Sequence, residues 1–301
     1  MRVLIVGASG FLGHHVVSAL VGAGHRVMGT SRSGRQGLAA YQLGDPIPAT
    51  VVEFGPEAVV DLAWEGIPDL GPEQCAANVA AQDVFLGHVV ALAGVRRLVV
   101  TGSCREYGDA VGVATGTATP VDDFGRAKDE VHRIAAERCR EAGIALAWLR
   151  VFYTYGPGQR PGSLIPTVLD ALQGGVEPRV RDRSASHDFI HVSDVAAAVV
   201  AALGSGAAHD VVDLGSGESS TVGALVDLAT ELLAVSDPSP MSESIDPSVQ
   251  PILADVDRTE AVLGWRPRVG LAMGIRHMVE ARADGAARLA GGREDEPGDP
   301  G

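Results

Sequence analysis

The chain has 301 residues, 46% of them hydrophobic and 21% charged, which suits a soluble globular protein with one large core or two modest ones. A formal net charge of −14 argues against nucleic acid or an anionic membrane surface as the main partner. Cys75, Cys104 and Cys139 are an odd, scattered set without metal spacing, so no metal site is expected and a reducing, cytoplasmic setting is. Met1-Arg2 leads straight into a strand pattern; neither a signal peptide nor a membrane span is expected.

Val3-Leu4-Ile5-Val6 is a short apolar run ending in a glycine turn, the pattern of a strand buried on both faces of a parallel sheet. A helix is predicted over roughly 14–23, closed by Gly24, and a second strand over 25–29. Strands over 58–63, 97–101 and 145–152 alternate with helices over 72–92 and 124–142. Such repeated units predict an α/β fold with a doubly wound parallel (Rossmann) sheet. After Tyr155 the pattern loosens. Residues 156–162 are turn-rich, 164–174 predict a helix, 189–192 a strand, 195–203 a helix, 211–214 a strand and 221–233 a helix. A polar loop spans 236–251, and helices follow over 257–263 and 271–282. The expected organisation is a dinucleotide-binding domain of 1–152 plus about 186–214, and a smaller α/β substrate domain of about 153–185 plus 215–282. Residues 283–301 offer little to bury and predict a disordered tail.

Gly7-Ala8-Ser9-Gly10-Phe11-Leu12-Gly13 follows the first strand and opens a helix. Glycines there allow a tight turn and let a pyrophosphate approach the backbone amides at the positive end of the helix. Gly7, Ser9, Gly10, Phe11, Leu12 and Gly13 are therefore expected at a dinucleotide. A carboxylate ending the second strand would hold the ribose 2′-hydroxyl of NAD; this chain has Thr30-Ser31-Arg32, a hydroxyl and a guanidinium suited to a 2′-phosphate. NADP(H) is expected in preference to NAD(H). Asp45 either accepts from the adenine amino group or is a turn carboxylate.

Lys128 is the one lysine among 24 basic residues. A compact ammonium with three donors suits adjacent ribose hydroxyls better than a planar guanidinium. On a helix it shares a face with Phe124, four residues earlier. Leu98-Val99-Val100-Thr101-Gly102-Ser103 is a buried strand running into a polar loop, with Ser103 placed to hydrogen-bond a reacting carbonyl or to cap the turn.

The ordered motifs 7–13, Asp61-Leu62-Ala63, 103–108, 124–128, Arg150 to Gly158, Asp188 to Val195 and 263–267 resemble the extended short-chain dehydrogenase/reductase family, the epimerase/dehydratase type acting on nucleotide sugars, over roughly 1–279. The resemblance implies that Leu62 and Ala63 lie on the cofactor, that Ser103 and Lys128 are catalytic, and that helices 72–92 and 124–142 form a homodimer seam. Phe124 replaces the family's catalytic tyrosine and has no proton to move. Tyr153 stands where many epimerases carry asparagine, and His187 where the family usually carries arginine. Cys104 and Arg105 replace the Asp-Glu pair of the dehydratases, which disfavours that elimination.

Candidates for the missing acid are Cys104, Glu106, Tyr107, Asp123, Tyr153 and Tyr155. Cys104 is the first choice, because a thiol near Lys128 would ionise more easily. Tyr107, Tyr153, Arg160 and Arg181 are expected at the substrate, with Arg179, Arg181 and Arg183 as a phosphate clamp or a solvated strand face, and Arg266 beside them. The expected function is reduction of a nucleotide-activated 4-keto-deoxysugar with NADPH. The rivals are an epimerase that retains its cofactor and a non-catalytic NADP(H)-binding protein.

Overall fold

A computed structural model describes residues 1–35, 37–206, 210–233 and 251–291. In chain order the first half gives β1 (Arg2–Val6), α1 (Phe11–Gly22), β2 (Arg26–Ser31), β3 (Ala39–Ala40), α2 (Ala49–Phe54), β4 (Ala58–Asp61), α3 (Pro72–Ala91) and β5 (Arg97–Ser103). A 3₁₀ turn over Cys104–Tyr107, β6 (Gly112–Val113), α4 (Asp123–Ala142), β7 (Ala145–Val151) and β8 (Tyr153–Tyr155) follow. The rest comprises α5 (Leu164–Gln173), β9 (Ser186–His187), β10 (Phe189–His191), α6 (Val192–Gly204), β11 (Asp210–Leu214), β12 (Ser220–Thr221), α7 (Val222–Leu232), β13 (Ile252–Leu253), α8 (Val256–Leu263) and α9 (Leu271–Gly291).

Seven strands form one sheet in the order β11-β7-β5-β4-β1-β2-β3, every pair parallel. The doubly wound α/β expectation is met. The inner strands carry almost unbroken Val, Leu, Ile and Ala, because helices cover both faces: Val16 and Leu20 of α1 and Val195 and Val199 of α6 on one side, Phe85 and Val89 of α3 and Val131 and Ala135 of α4 on the other. Strand order reverses at β1, which has β2 and β4 as neighbours, so the ligand crevice opens at the carboxyl ends of β1 and β4. A third apolar cluster joins Ile165 and Leu169 of α5, Leu225 and Ala229 of α7, and Ile275 and Met278 of α9 to Tyr155 and Phe189.

Several boundaries differ from the sequence reading. Helix α1 starts at Phe11 rather than near 14, because extended Gly10 caps it directly. The strands β3, β6, β9, β12 and β13 have two residues each, too short to show a period. Helix α2, six residues long, was not predicted either. Helix α9 continues to Gly291, so the tail is not irregular from 283; alanine and arginine are good helix formers. Residues 236–250 of the expected polar loop, and 292–301, lie outside the described residues.

Candidate cofactor cleft and active site

A cleft of about 230 Å³ lies over the β1–α1 turn. Gly7, Ser9 and Gly10 form its floor, Ser31 and Arg32 close one end, and Leu62, Ala63 and Trp64 after β4 form the far wall. Gly7 has φ +85°, a conformation open to glycine, and an added Cβ would press on the Ala63 nitrogen at 3.1 Å. A side chain on Gly13 would strike the backbone of Gly7 and Ala8, so α1 packs directly under the turn. Gly13 packs against the turn, Leu12 packs on the main apolar cluster, and Phe11 sets its edge on His15 at 5.9 Å. The Ser31 hydroxyl accepts from the Gly34 amide at 3.1 Å. Arg32 is exposed and makes no ion pair with a described residue. Asp45 does not reach the cleft; it is an exposed turn residue whose amide donates to Gln42.

Beyond Trp64 lies a pair from α4, Phe124 and Lys128. Asp122 caps this helix, its Oδ1 accepting from the Gly125 amide at 2.8 Å. Phe124 and Lys128 then face the carboxyl end of β5. The Lys128 ammonium is buried, donates to the Thr101 carbonyl at 2.9 Å and lies 4.2 Å from the centroid of the Trp64 ring. Trp64 in turn stands edge-on to Phe124, centroids 5.2 Å apart. Burial pushes the Lys128 ammonium down to about 8, with Asp61 opposing that shift. Burial likewise lifts the Asp61 carboxyl to about 6, against the Ala63 amide and the Lys128 charge. Asp61 Oδ1 accepts from Ala63 at 2.9 Å, while the Trp64 Nε1 is shielded from solvent without a partner among the described residues. A shielded indole N–H without a partner among the described residues and a buried ammonium, beside a glycine floor that a Cβ would fill, suit a dinucleotide with its ribose hydroxyls.

Ser103 ends β5 and caps the 3₁₀ turn. Its Oγ accepts from the Arg105 amide at 3.2 Å, and its own amide donates to Glu106 Oε1 at 2.8 Å. Capping and a place at the crevice mouth coexist in one side chain. Glu106 is fully buried and spoken for: Arg150 Nε donates to it at 2.7 Å and Trp148 Nε1 at 3.0 Å.

Two expected roles are corrected. Cys104 does not ionise more easily; its side chain turns into the core, and burial pushes the thiol up to about 12. Tyr107 is not at the substrate. It is buried, with its hydroxyl donating to Asp213 Oδ1 at 2.6 Å and the Arg150 guanidinium over its ring. Tyr155 is also buried, its hydroxyl near the Gly270 carbonyl. Tyr153 is exposed, stacks on His187 with ring centroids 4.0 Å apart, and lines a pocket of about 340 Å³ with Gln159 and Phe189. Burial raises its phenol, and Cys104, Arg105 and Asp122 lie near enough to act on it. Arg160, Arg179 and Arg181 are exposed, outside that pocket. Arg179, Arg181 and Arg183 sit in irregular chain, not a strand; Arg183 pairs with Asp227, and Arg266 with Asp257 and Glu260. Trp64 and Gln82 were not anticipated, because their partners come from elements remote in sequence; Asp122 was missed although an Asp three residues before Gly125 is a local helix-cap signal.

The chain matches the family described as NAD dependent epimerase/dehydratase over residues 3–215. It is 30% identical to the dTDP-6-deoxy-L-talose 4-dehydrogenase (NAD(P)(+)) of Kitasatospora kifunensis, aligned over 94% of this chain and 96% of that protein. Identity to the UDP-glucose 4-epimerase of Mycolicibacterium smegmatis is 29%, over 93% and 98%. MoeE5 in complex with UDP-glucuronic acid and NAD superposes with a TM-score of 0.78 at 28% identity, covering 95% of this chain and 100% of that one. The UDP-glucose 4-epimerase of Thermotoga maritima shares the fold at a TM-score of 0.82 and 23% identity, over 95% and 100%. No helix among the described residues is long and apolar enough to cross a membrane.

Proposed function

The chain belongs to the NAD-dependent epimerase/dehydratase family, and from that membership we propose an oxidoreductase that uses NADP(H) on a nucleotide-activated deoxysugar, reducing a 4-keto group. The observation that carries the reading is the line from the glycine turn past Trp64 to Lys128 and Ser103, with Arg32 free at its other end. The relative named a 4-dehydrogenase with NAD(P)(+) as cofactor supports both parts of it.

The bound dinucleotide supplies hydride chemistry. The chain's residues do the rest. Amides of the Gly7–Gly10 turn and the start of α1 hold the pyrophosphate. Arg32 pairs with the 2′-phosphate, a charge-assisted bond that an NAD ribose cannot offer. Lys128 donates to ribose hydroxyls, and the Ser103 hydroxyl donates to the sugar carbonyl. Phe124 contributes a wall and no proton, so the proton that completes the alcohol is relayed to the carbonyl oxygen by Ser103, which regains it from water. The nucleotide diphosphate draws on the exposed Arg160, Arg179 and Arg181, the substrate unit being the α5–α7–α9 cluster with its approaches. We also infer a homodimer through α3 and α4, and a cytoplasmic setting consistent with three free, buried thiols.

The test is purified protein with NADPH and a nucleotide-4-keto-sugar. Loss of NADPH absorbance with formation of the alcohol supports the reading; no loss with any such sugar sinks it. A second reading, epimerisation at one carbon with retained cofactor, is favoured by the epimerase among the relatives. It predicts dinucleotide that co-purifies and never turns over.

A further inference from the structure

Trp64 stands at a junction that no other residue shares. It lines the dinucleotide cleft, its ring face carries the Lys128 ammonium at 4.2 Å, and its edge meets Phe124 at 5.2 Å between centroids. Its Nε1 is shielded from water, yet has no acceptor among the described residues. A shielded N–H without a partner costs about 1–3 kcal/mol, which an acceptor brought by a bound ligand would recover. The other two indoles are buried in the core, and that of Trp148 already donates to Glu106.

We propose that Trp64 is a dinucleotide-binding residue: its indole N–H donates to an oxygen of the bound cofactor at the nicotinamide end, while its face keeps the Lys128 ammonium beside the cleft. The proposal rests on the cleft being a dinucleotide site and deepens that reading. It gives the reacting end a hydrogen-bond donor that Phe124 cannot be. The role is in binding and positioning; the indole transfers no proton.

Binding of NADP⁺ to the full chain tests this without turnover. In Trp64→Phe a six-membered aromatic ring remains to face Phe124 and Lys128, while the five-membered ring and its N–H are lost. Affinity should fall roughly three- to tenfold, the value of one hydrogen bond. In proton NMR of the wild type, one indole N–H signal should move downfield as NADP⁺ saturates, and that signal should be missing from Trp64→Phe. A folded Trp64→Phe with wild-type affinity overturns the assignment, as does a wild-type spectrum in which no indole signal moves. The second reading needs no variant, so instability of Trp64→Phe would not protect the idea. If the wild type bound neither NADP⁺ nor NAD⁺, the cofactor reading would fall and this one with it. Binding with an unmoved indole removes only the role of Trp64.

Discussion

The Arg105 guanidinium lies 5.7 Å from the centre of the Phe124 ring. The Lys128 ammonium lies 5.8 Å from the same centre, so a ring without a titratable group is flanked by two cations. Arg105 is held there by Asp122, whose Oδ2 accepts from its Nε at 3.0 Å. A hydroxyl on this ring would be favoured in its ionised form.

Phe124→Tyr should therefore create a phenol that titrates below its ordinary value of about 10. Ultraviolet difference spectra of the variant against the parent would show it. Turnover on a 4-keto-sugar should rise about 100-fold or more, the usual worth of a positioned proton donor. An unchanged rate would mean that another group already supplies the proton.

Lys128 sets a pH dependence. Its amine titrates near 8 in the folded protein and at 10.5 when unperturbed, because burial disfavours the charge. The folded state thus binds fewer protons than the unfolded one between those values. This group's penalty on stability is complete below pH 8 and is relieved as pH rises towards 10.5. Binding that uses the ammonium runs the other way. The Kd for NADP⁺ should climb by up to about tenfold per pH unit above 8, and Lys128→Met should bind weakly with no such slope.

Asp61 steadies that charge, so Asp61→Asn should start the same loss of affinity at a lower pH. Asparagine keeps an acceptor for the Ala63 amide, which separates the electrostatic effect from a broken turn. Titrations of NADP⁺ binding against pH for parent and variant measure the displacement. Coincident curves would remove Asp61 from the account.

The sequence disclosed the sheet more fully than the site. Val3–Val6 and Leu98–Val100 announced buried parallel strands, and the glycine turn between β1 and α1 announced its own geometry. Those are local signals. Tyr107 looked like a loop residue because Asp213, its partner, lies on β11 at the far edge of the sheet. Cys104 looked reactive because it follows Ser103, but the 3₁₀ turn sends adjacent side chains in different directions. Trp64 carried no local pattern at all; it meets Lys128 only once α4 has packed across the ends of β4 and β5.

Tyr107→Phe checks the corrected role of that residue. It strips a donor from a buried carboxylate and should cost about 1–3 kcal/mol in urea unfolding. KM for the sugar should stay at the parent value. A raised KM with unchanged stability would restore Tyr107 to the substrate site.

Arg32→Ala isolates the cofactor preference. Loss of a charge-assisted bond of about 1.5–3 kcal/mol should weaken NADP⁺ binding roughly ten- to hundredfold. Affinity for NAD⁺ should not fall. Equal affinity of the parent for both dinucleotides would end the case for a 2′-phosphate site.

Asp188 ties three stretches of the chain together. Its carboxylate collects the amides of Ser216, Gly217 and Ala254 and the Ser216 hydroxyl. One buried anion thereby rivets the approach to β10, the turn after β11 and the segment after β13. These three stretches, remote along the chain, have to drift together or not at all. That side of the molecule is hence poorly suited to gradual remodelling one loop at a time, and change there should come from side chains on its rim.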